Sequence, residues 1–520
     1  MKLQNLLLVF MAVLFTGNLV AKESRPNILF VLSDDQSSVH TSYAGAQQLH
    51  TPGFDRLANQ GAYFTHSFTG VASCAPSRAS ILTGKSFWRN REASLLFGRL
   101  KKDHQVFTRL LSDAGYAVGV SGKSYSPANQ NFESTYPLVD ELQGLFNKEY
   151  KTHEKTPFGI NSENYSASFI KFMQDKPKEQ PFFFWLGTKE PHRAYKKGIG
   201  AENGINPDMV TVPDFLPDNT TIRNDIADYF FEIQWADNHL VNALNYLEEI
   251  GQLNNTLVVY TSDNGMPFPR AKATSYNYGV QMPLAMMWGD KIKPGRVIED
   301  FVNHIDFAAT FLDVAGAEIP AGLSGKSLLP ILLSDKSGLI DAKRTFTLTG
   351  FERHVWARPD GEVYGRRVIH TKDWVYIHNF NPDRWPMGSP DFIASHQGIF
   401  GDVDAGPTKT FLLENKDAPE IEPLYHLSFS KLPEDELYHL PSDPEQINNV
   451  ANNVQNQQVL EQLKAQLMRE LSKDQDPRMQ GLDHWRDYPF YGNKDKYLRG
   501  KYLKEYQMLN DNKLIERAEH

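Results

Sequence analysis

The sequence predicts an α/β protein in which a large unit, built on a mostly parallel sheet flanked by helices, is followed by a smaller α+β unit. Three observations predict it. Four short apolar runs lack polar alternation, as strands buried on both faces do, and each ends in polar residues. Between the third and fourth runs lies a stretch with apolar residues at helical spacing. Past Gly316 the texture shifts to prolines and mixed strand-like segments. The 520 residues, 41% hydrophobic and 22% charged, suffice for a large core and exclude disordered, collagen-like and coiled-coil classes. A net charge of −9 argues against a surface that binds nucleic acid throughout, so an anionic ligand must meet a local basic pocket.

At the N-terminus a single Lys2, an apolar run over 6–15 and small residues before Ala21 read as an export signal, residues 1–21, cleaved near Ala21. The run is too short to span a bilayer, no cysteine follows it to take a lipid, and no second apolar stretch is long enough. The expectation is a secreted or periplasmic protein with its large unit over 22–340 and its second over 341–520. The first strand, 27–32, leads into Asp34 and Asp35; the second, 117–120, into Gly122 and Lys123. The third, 182–186, leads to Pro191 and His192; the fourth, 257–260, to Asp263, Asn264 and Gly265. Ligands of open α/β sheets bind beyond the carboxyl ends of the strands, so these four tips are candidates for one site.

The stretch 225–249 carries Ile226, Tyr229, Phe230, Ile233, Leu240, Leu244 and Leu247 and reads as an amphipathic crossover helix. Asp237 falls on its apolar stripe and reads as a hydrogen-bonded structural carboxylate. In the second unit, 344–348 and 373–377 read as strands and 446–471 as a long helix. The polar tail after Tyr491 has no assigned role.

The chain has one cysteine, Cys74, which cannot form a disulfide within its own chain; the fold must rest on core burial. Pro76 suits the first turn of a helix and Gly84 its end, which puts Cys74 at a helix N-terminus, where backbone N–H groups favour negative charge. Arg78 follows about one turn later. Read singly, a lone cysteine is a small buried hydrophobe, and adjacent aspartates form a turn or a cap.

Read together, Cys74, Pro76, Ser77 and Arg78, followed by Leu82, Thr83 and Gly84, resemble the signature of the type I sulfatases. The resemblance implies an alkaline-phosphatase-like large domain. It also implies that a formylglycine-generating maturation enzyme oxidises Cys74 to 3-oxoalanine (formylglycine), whose hydrate attacks sulfur. One Ca²⁺ is implied at Asp34, Asp35, Asp263 and Asn264 together with residue 74, a hard-oxygen set suited to that ion. Arg78 is implied to stabilise residue 74; Lys123, His192 and Lys272 to bind the sulfuryl group, with Arg270 as the alternative to Lys272; and His192 to protonate the leaving group. Most members carry a histidine two residues after the lysine, where this chain has Tyr125, so that role is unfilled or passes to Tyr125 or another group.

Pro191-His192-Arg193 and Pro267-Phe268-Pro269 look closest to the heparan N-sulfatase branch and its bacterial relatives, and that branch suggests Arg353 and His354 as lining of the substrate cleft. Trp356, Trp374 and Trp385 are candidates for stacking on sugar rings. The expected activity is hydrolysis of a sulfate ester or sulfamate on a carbohydrate. The alternatives are a phosphomonoester or phosphonate hydrolase of the same superfamily, and a sulfated-glycan-binding protein whose Cys74 stays unmodified. The sequence does not assign an oligomeric state.

Overall fold

In the computed structural model, residues 25–101, 103–125, 150–393 and 397–491 are described. The segment expected to be an export signal, residues 1–21, and the polar tail lie outside them. The large unit holds β1 (Asn27–Ser33), β2 (Ala62–Phe64), β3 (Ser67–Phe68), β4 (Ala117–Gly122) and β5 (Phe182–Gly187). It continues with β6 (Thr256–Ser262), β7 (Ala285–Met287), β8 (Arg296–Ile298) and β9 (Val302–Asn303). Seven of these strands form one sheet in the order β4-β5-β1-β6-β7-β2-β8, while β3 pairs with β9. The pairs β4–β5, β5–β1 and β1–β6 are parallel, and β7 runs antiparallel to both neighbours.

Every residue of β1, β5 and β6 is buried, which explains why their sequences do not alternate. Each predicted apolar run corresponds to one of the four parallel strands and extends one or two residues past its predicted end. In register, Gly122 of β4 faces Gly187 of β5, Leu32 of β1 faces Gly187, and Ser33 faces Ser262 of β6. The four carboxyl ends therefore finish at one level.

The predicted crossover helix spans Thr220–Glu249 and starts before 225 because the Asn219 side chain accepts from the N–H groups of Thr221 and Ile222. Its Asp237 accepts from the backbone N–H of Gly53 and Phe54, at 2.7 and 2.8 Å, and so caps helix α1 (Pro52–Gln60). Burial pushes that carboxyl up to about 7, against the pull of the two N–H donors.

The C-terminal part contains an antiparallel sheet of β10 (Phe346–Phe351), β11 (Arg366–Thr371), β12 (Trp374–Asn379) and β13 (Asp435–His439), in that order. The helix expected over 446–471 is shorter and later, at Gln457–Lys473, burying Leu460, Leu463, Leu467 and Leu471. Residues 446–456 are diverted by local competition. The Asp443 carboxylate takes the N–H groups of Ile447 and Asn448, Gln446 has φ +57°, and Val454 is 88% exposed. An apolar core runs continuously from Ile226 and Tyr229 of the crossover helix to Phe351, Ile369 and Leu467 of the second sheet and its helix. No helix of the described residues is long and apolar enough to cross a membrane.

Candidate active site

The strand ends deliver Asp34 and Asp35 beyond β1, Lys123 beyond β4, His192 beyond β5, and Asp263 and Asn264 beyond β6. Gly122 has φ +70°, and a Cβ there would stand 1.9 Å from the Gly187 carbonyl oxygen. Only glycine lets β4 run that close to β5 and still turn Lys123 inward.

Helix α2 (Cys74–Thr83) begins at the nucleophile candidate and ends at Gly84, left-handed at φ 63°. The Ser73 side chain makes no cap hydrogen bond; its Oγ lies 2.8 Å from His354 Nδ1. Cys74 is buried, its Sγ 4.0 Å from Asp35 Oδ1, and one ligand atom each from Asp34, Cys74 and Asp263 lies within 4.8 Å of the others.

Cations close the cluster. Arg78 is fully buried, its Nε donating to Asp263 Oδ2 at 2.7 Å and its Nη1 to the carbonyls of Lys123 and Ser124. Lys123 Nζ pairs with Asp34. Lys272 Nζ sits 2.7 Å from Asp35 Oδ2 and 3.0 Å from Asp404 Oδ2. His192 is 35% exposed, with Nε2 3.9 Å from Asp35 Oδ2 and Nδ1 2.6 Å from the Arg193 carbonyl. A carbonyl only accepts, so Nδ1 carries a proton and Nε2 is the nitrogen left to hold or release one toward the cleft.

Burial opposes charge throughout, and the partners decide the outcome. Burial raises Asp34, but Lys123, His192, Arg78 and Lys272 overcome it and hold that carboxyl far below the usual carboxylate range. Burial raises Asp263 to about 6, with Asp34 adding to the effect and Arg78 opposing it. Burial alone would discharge Lys272, yet Asp35 and Asp404 keep it charged well above the usual lysine range. Burial also pushes the Cys74 thiol far up, against the pull of Lys123 and Lys272.

Four carboxylates, Asp34, Asp35, Asp263 and Asp404, face three fixed cations, Arg78, Lys123 and Lys272. Among the buried acceptors of this cluster without a hydrogen-bond partner in the described residues are Asp34 Oδ1 and Asn264 Oδ1, both from the expected metal-binding set. Unpaired buried oxygens beside an excess of negative charge fit a hard divalent cation, which would leave the pocket net positive.

Of the expected residues, Arg78, Lys123, His192, Lys272, Asp34, Asp35, Cys74, Asp263 and Asn264 come together. His354 reaches the cluster's edge through Ser73. Tyr125 does not join them: its hydroxyl donates to the Gly98 carbonyl at 3.1 Å and its ring lies in the core. The role left by the missing histidine is therefore not placed on Tyr125. Arg353 is buried, donates to the Gly361 carbonyl and lies against the rings of Trp356 and Phe490. Arg270 turns away to the carbonyls of Leu427 and Gln446, leaving Lys272 as the basic group at Asp35. Trp374 packs on His439 and Trp385 on Phe400. Asp404 escaped the sequence reading; it stands outside every recognisable motif, and tertiary structure alone brings it to Lys272.

A family model described as "Sulfatase" matches residues 26–317, and one described as "N-sulphoglucosamine sulphohydrolase, C-terminal" matches 271–387. The chain is 28% identical over 499 residues to "N-sulphoglucosamine sulphohydrolase" of Homo sapiens, covering 87% of this chain and 91% of that protein. It is 26% identical over 450 residues to an "Ulvan-active sulfatase" of Formosa agariphila, covering 85% and 79%. Among solved structures, BT4656 in complex with its substrate D-glucosamine-2-N,6-O-disulfate superposes with a TM-score of 0.63 at 21% identity, covering 87% of this chain and 98% of that one.

Proposed function

The chain belongs to the sulfatase family of sulfuric ester hydrolases, on its heparan N-sulfatase-like branch, and from that premise we propose that it removes a sulfo group from a sulfated glycosaminoglycan or polysaccharide fragment. The observation that carries this reading is the convergence of buried Cys74 with Asp34 and Asp263, ringed by Lys123, Lys272 and Arg78. Formylglycine at position 74, made by a maturation enzyme, would supply a hydroxyl nucleophile toward sulfur at the helix N-terminus. Asp34, Asp35, Asp263 and Asn264 would hold Ca²⁺, which when bound draws charge from the sulfuryl oxygens and favours the deprotonated nucleophile.

The chain's own side chains do the rest. Lys123 and Lys272 flank Asp34 and Asp35 and present ammonium groups to a sulfuryl anion. His192 stands on the exposed side of the cluster, with Nε2 placed to give a proton to the departing sugar oxygen or nitrogen. Arg78 ties the first turn of α2 to Asp263 and to the Lys123 backbone, fixing nucleophile, metal ligand and cation in one frame. An export signal over residues 1–21 agrees with a polysaccharide substrate outside the cytoplasm.

The test is sulfate release from N-sulfo and O-sulfo glucosamine oligosaccharides by protein co-expressed with a maturation enzyme, beside its Cys74→Ala variant. The reading expects release by the first alone. Turnover of phosphomonoesters or phosphonates with every sulfated sugar left intact would contradict it.

A further inference from the structure

Loop 397–406 carries a buried carboxylate, Asp404, that the mechanism above does not use. Its Oδ1 accepts from Gln397 Nε2 at 2.8 Å, and its Oδ2 lies 3.0 Å from Lys272 Nζ. The residue is 5% exposed, and that second oxygen meets no donor other than the lysine among the described residues.

The loop is locked in place. Lys409 Nζ donates to three of its backbone carbonyls, those of Gln397, Phe400 and Val403, at 2.7, 3.0 and 2.8 Å. Just after the loop, Thr408 donates through both its N–H and its hydroxyl to Asp225, and the same carboxylate takes two guanidinium bonds from Arg193. Arg193 packs so closely on Gly406 that a Cβ there would stand 2.5 Å from Nη1. The residue adjoining His192 thus braces the loop that carries Asp404. Asp404 is preorganised relative to both His192 and Lys272.

A carboxylate fixed beside the sulfuryl-binding cations repels sulfuryl oxygens and cannot be their ligand. It suits a hydrogen-bond donor, and a sugar carries one next to nearly every sulfated position. We propose that Asp404 is a specificity-determining residue whose Oδ2 accepts a hydrogen bond from the hydroxyl or N–H neighbouring the scissile sulfo group. The proposal rests on the sulfatase reading above.

The test is a cycle of enzyme and substrate changes on matured protein. Wild type, Asp404→Ala and Asp404→Asn are assayed on methyl glucosaminides sulfated at nitrogen or at the primary hydroxyl, and on analogues whose neighbouring hydroxyl is replaced by hydrogen or whose N–H is methylated. Wild-type kcat/KM should fall about 10- to 150-fold on losing the donor, the range for a hydrogen bond to a charged group. In Asp404→Ala that ratio should collapse toward one, and in Asp404→Asn, which keeps a neutral acceptor and the side-chain volume, it should be intermediate. An Asp404→Ala protein that does not fold leaves Asp404→Asn to decide. If Asp404 serves only to hold Lys272, both substrates lose rate equally and the ratio is unchanged, which overturns the proposal. A wild-type enzyme that desulfates no member of the panel overturns the sulfatase reading, and the proposal with it.

Discussion

Arg78→Ala probes the site's architecture most severely. Arg78 and Asp263 are both fully buried, joined at 2.7 Å, and Arg78 also donates to the carbonyls of Lys123 and Ser124. Removing one partner of a buried ion pair costs about 3–5 kcal/mol, because the other charge stays buried without compensation. Against a total stability of roughly 5–15 kcal/mol, that loss consumes about a fifth of the margin or more. Arg78→Lys keeps the charge but cannot span both Asp263 and the β4 carbonyls, so its cost should fall between wild type and alanine. Urea unfolding of chelator-treated protein, followed by near-ultraviolet dichroism, measures both. An Arg78→Ala midpoint equivalent to less than about 1 kcal/mol of destabilisation would refute the reasoning, since a buried, hydrogen-bonded pair cannot be that dispensable.

Other consequences follow from the same geometry. His192→Gln should lower kcat on sulfated sugars by about 10²- to 10⁴-fold and aryl sulfate turnover far less, since a phenolic leaving group needs no proton. Its melting temperature should stay near that of wild type because His192 is 35% exposed; equal losses on both substrates would remove it as the proton donor. Burial lowers His40, His304 and His370 to about 3 and His239 and His354 to about 4, so the fold holds them neutral. The unfolded chain protonates them near 6.5, so their stabilising effect is complete above that pH and is lost on acidification from about 6.5 toward about 4 for His239 and His354 and about 3 for the other three. A melting temperature that is flat down to pH 4 would contradict this. Asp237→Ala leaves the N–H groups of Gly53 and Phe54 unpaired, at about 1–3 kcal/mol each, and hydrogen exchange at those two amides should accelerate selectively.

Much of this was legible in the sequence because the parallel strands are buried on both faces. Their unbroken apolar runs mark them, and the first polar residues after each run must lie at the strand's carboxyl end, which is how Asp34, Lys123, His192 and Asp263 were found together. The role of Asp237 was legible for a related reason: a carboxylate on an apolar stripe needs backbone donors. What escaped depends on long-range packing. Asp404 is delivered by a loop whose shape is set by Lys409, Thr408 and Arg193, and no local pattern announces that network. The early part of the expected 446–471 helix failed because periodicity does not register an Asp443 side chain competing for backbone N–H groups. Tyr125 stands where the resemblance expects a histidine, two residues after Lys123, yet its hydroxyl donates to the Gly98 carbonyl, a partner that no local pattern in the sequence indicates.

The central claim, that position 74 works as an aldehyde rather than a thiol, is tested most directly by mass spectrometry of the peptide containing residue 74, taken from protein matured in its native host. Conversion exchanges sulfur and two hydrogens for one oxygen, and the predicted result is a peptide lighter by about 18 Da that reacts with a hydrazide. A peptide of unmodified mass that alkylates as a free thiol, isolated from a preparation that releases sulfate, would contradict the account.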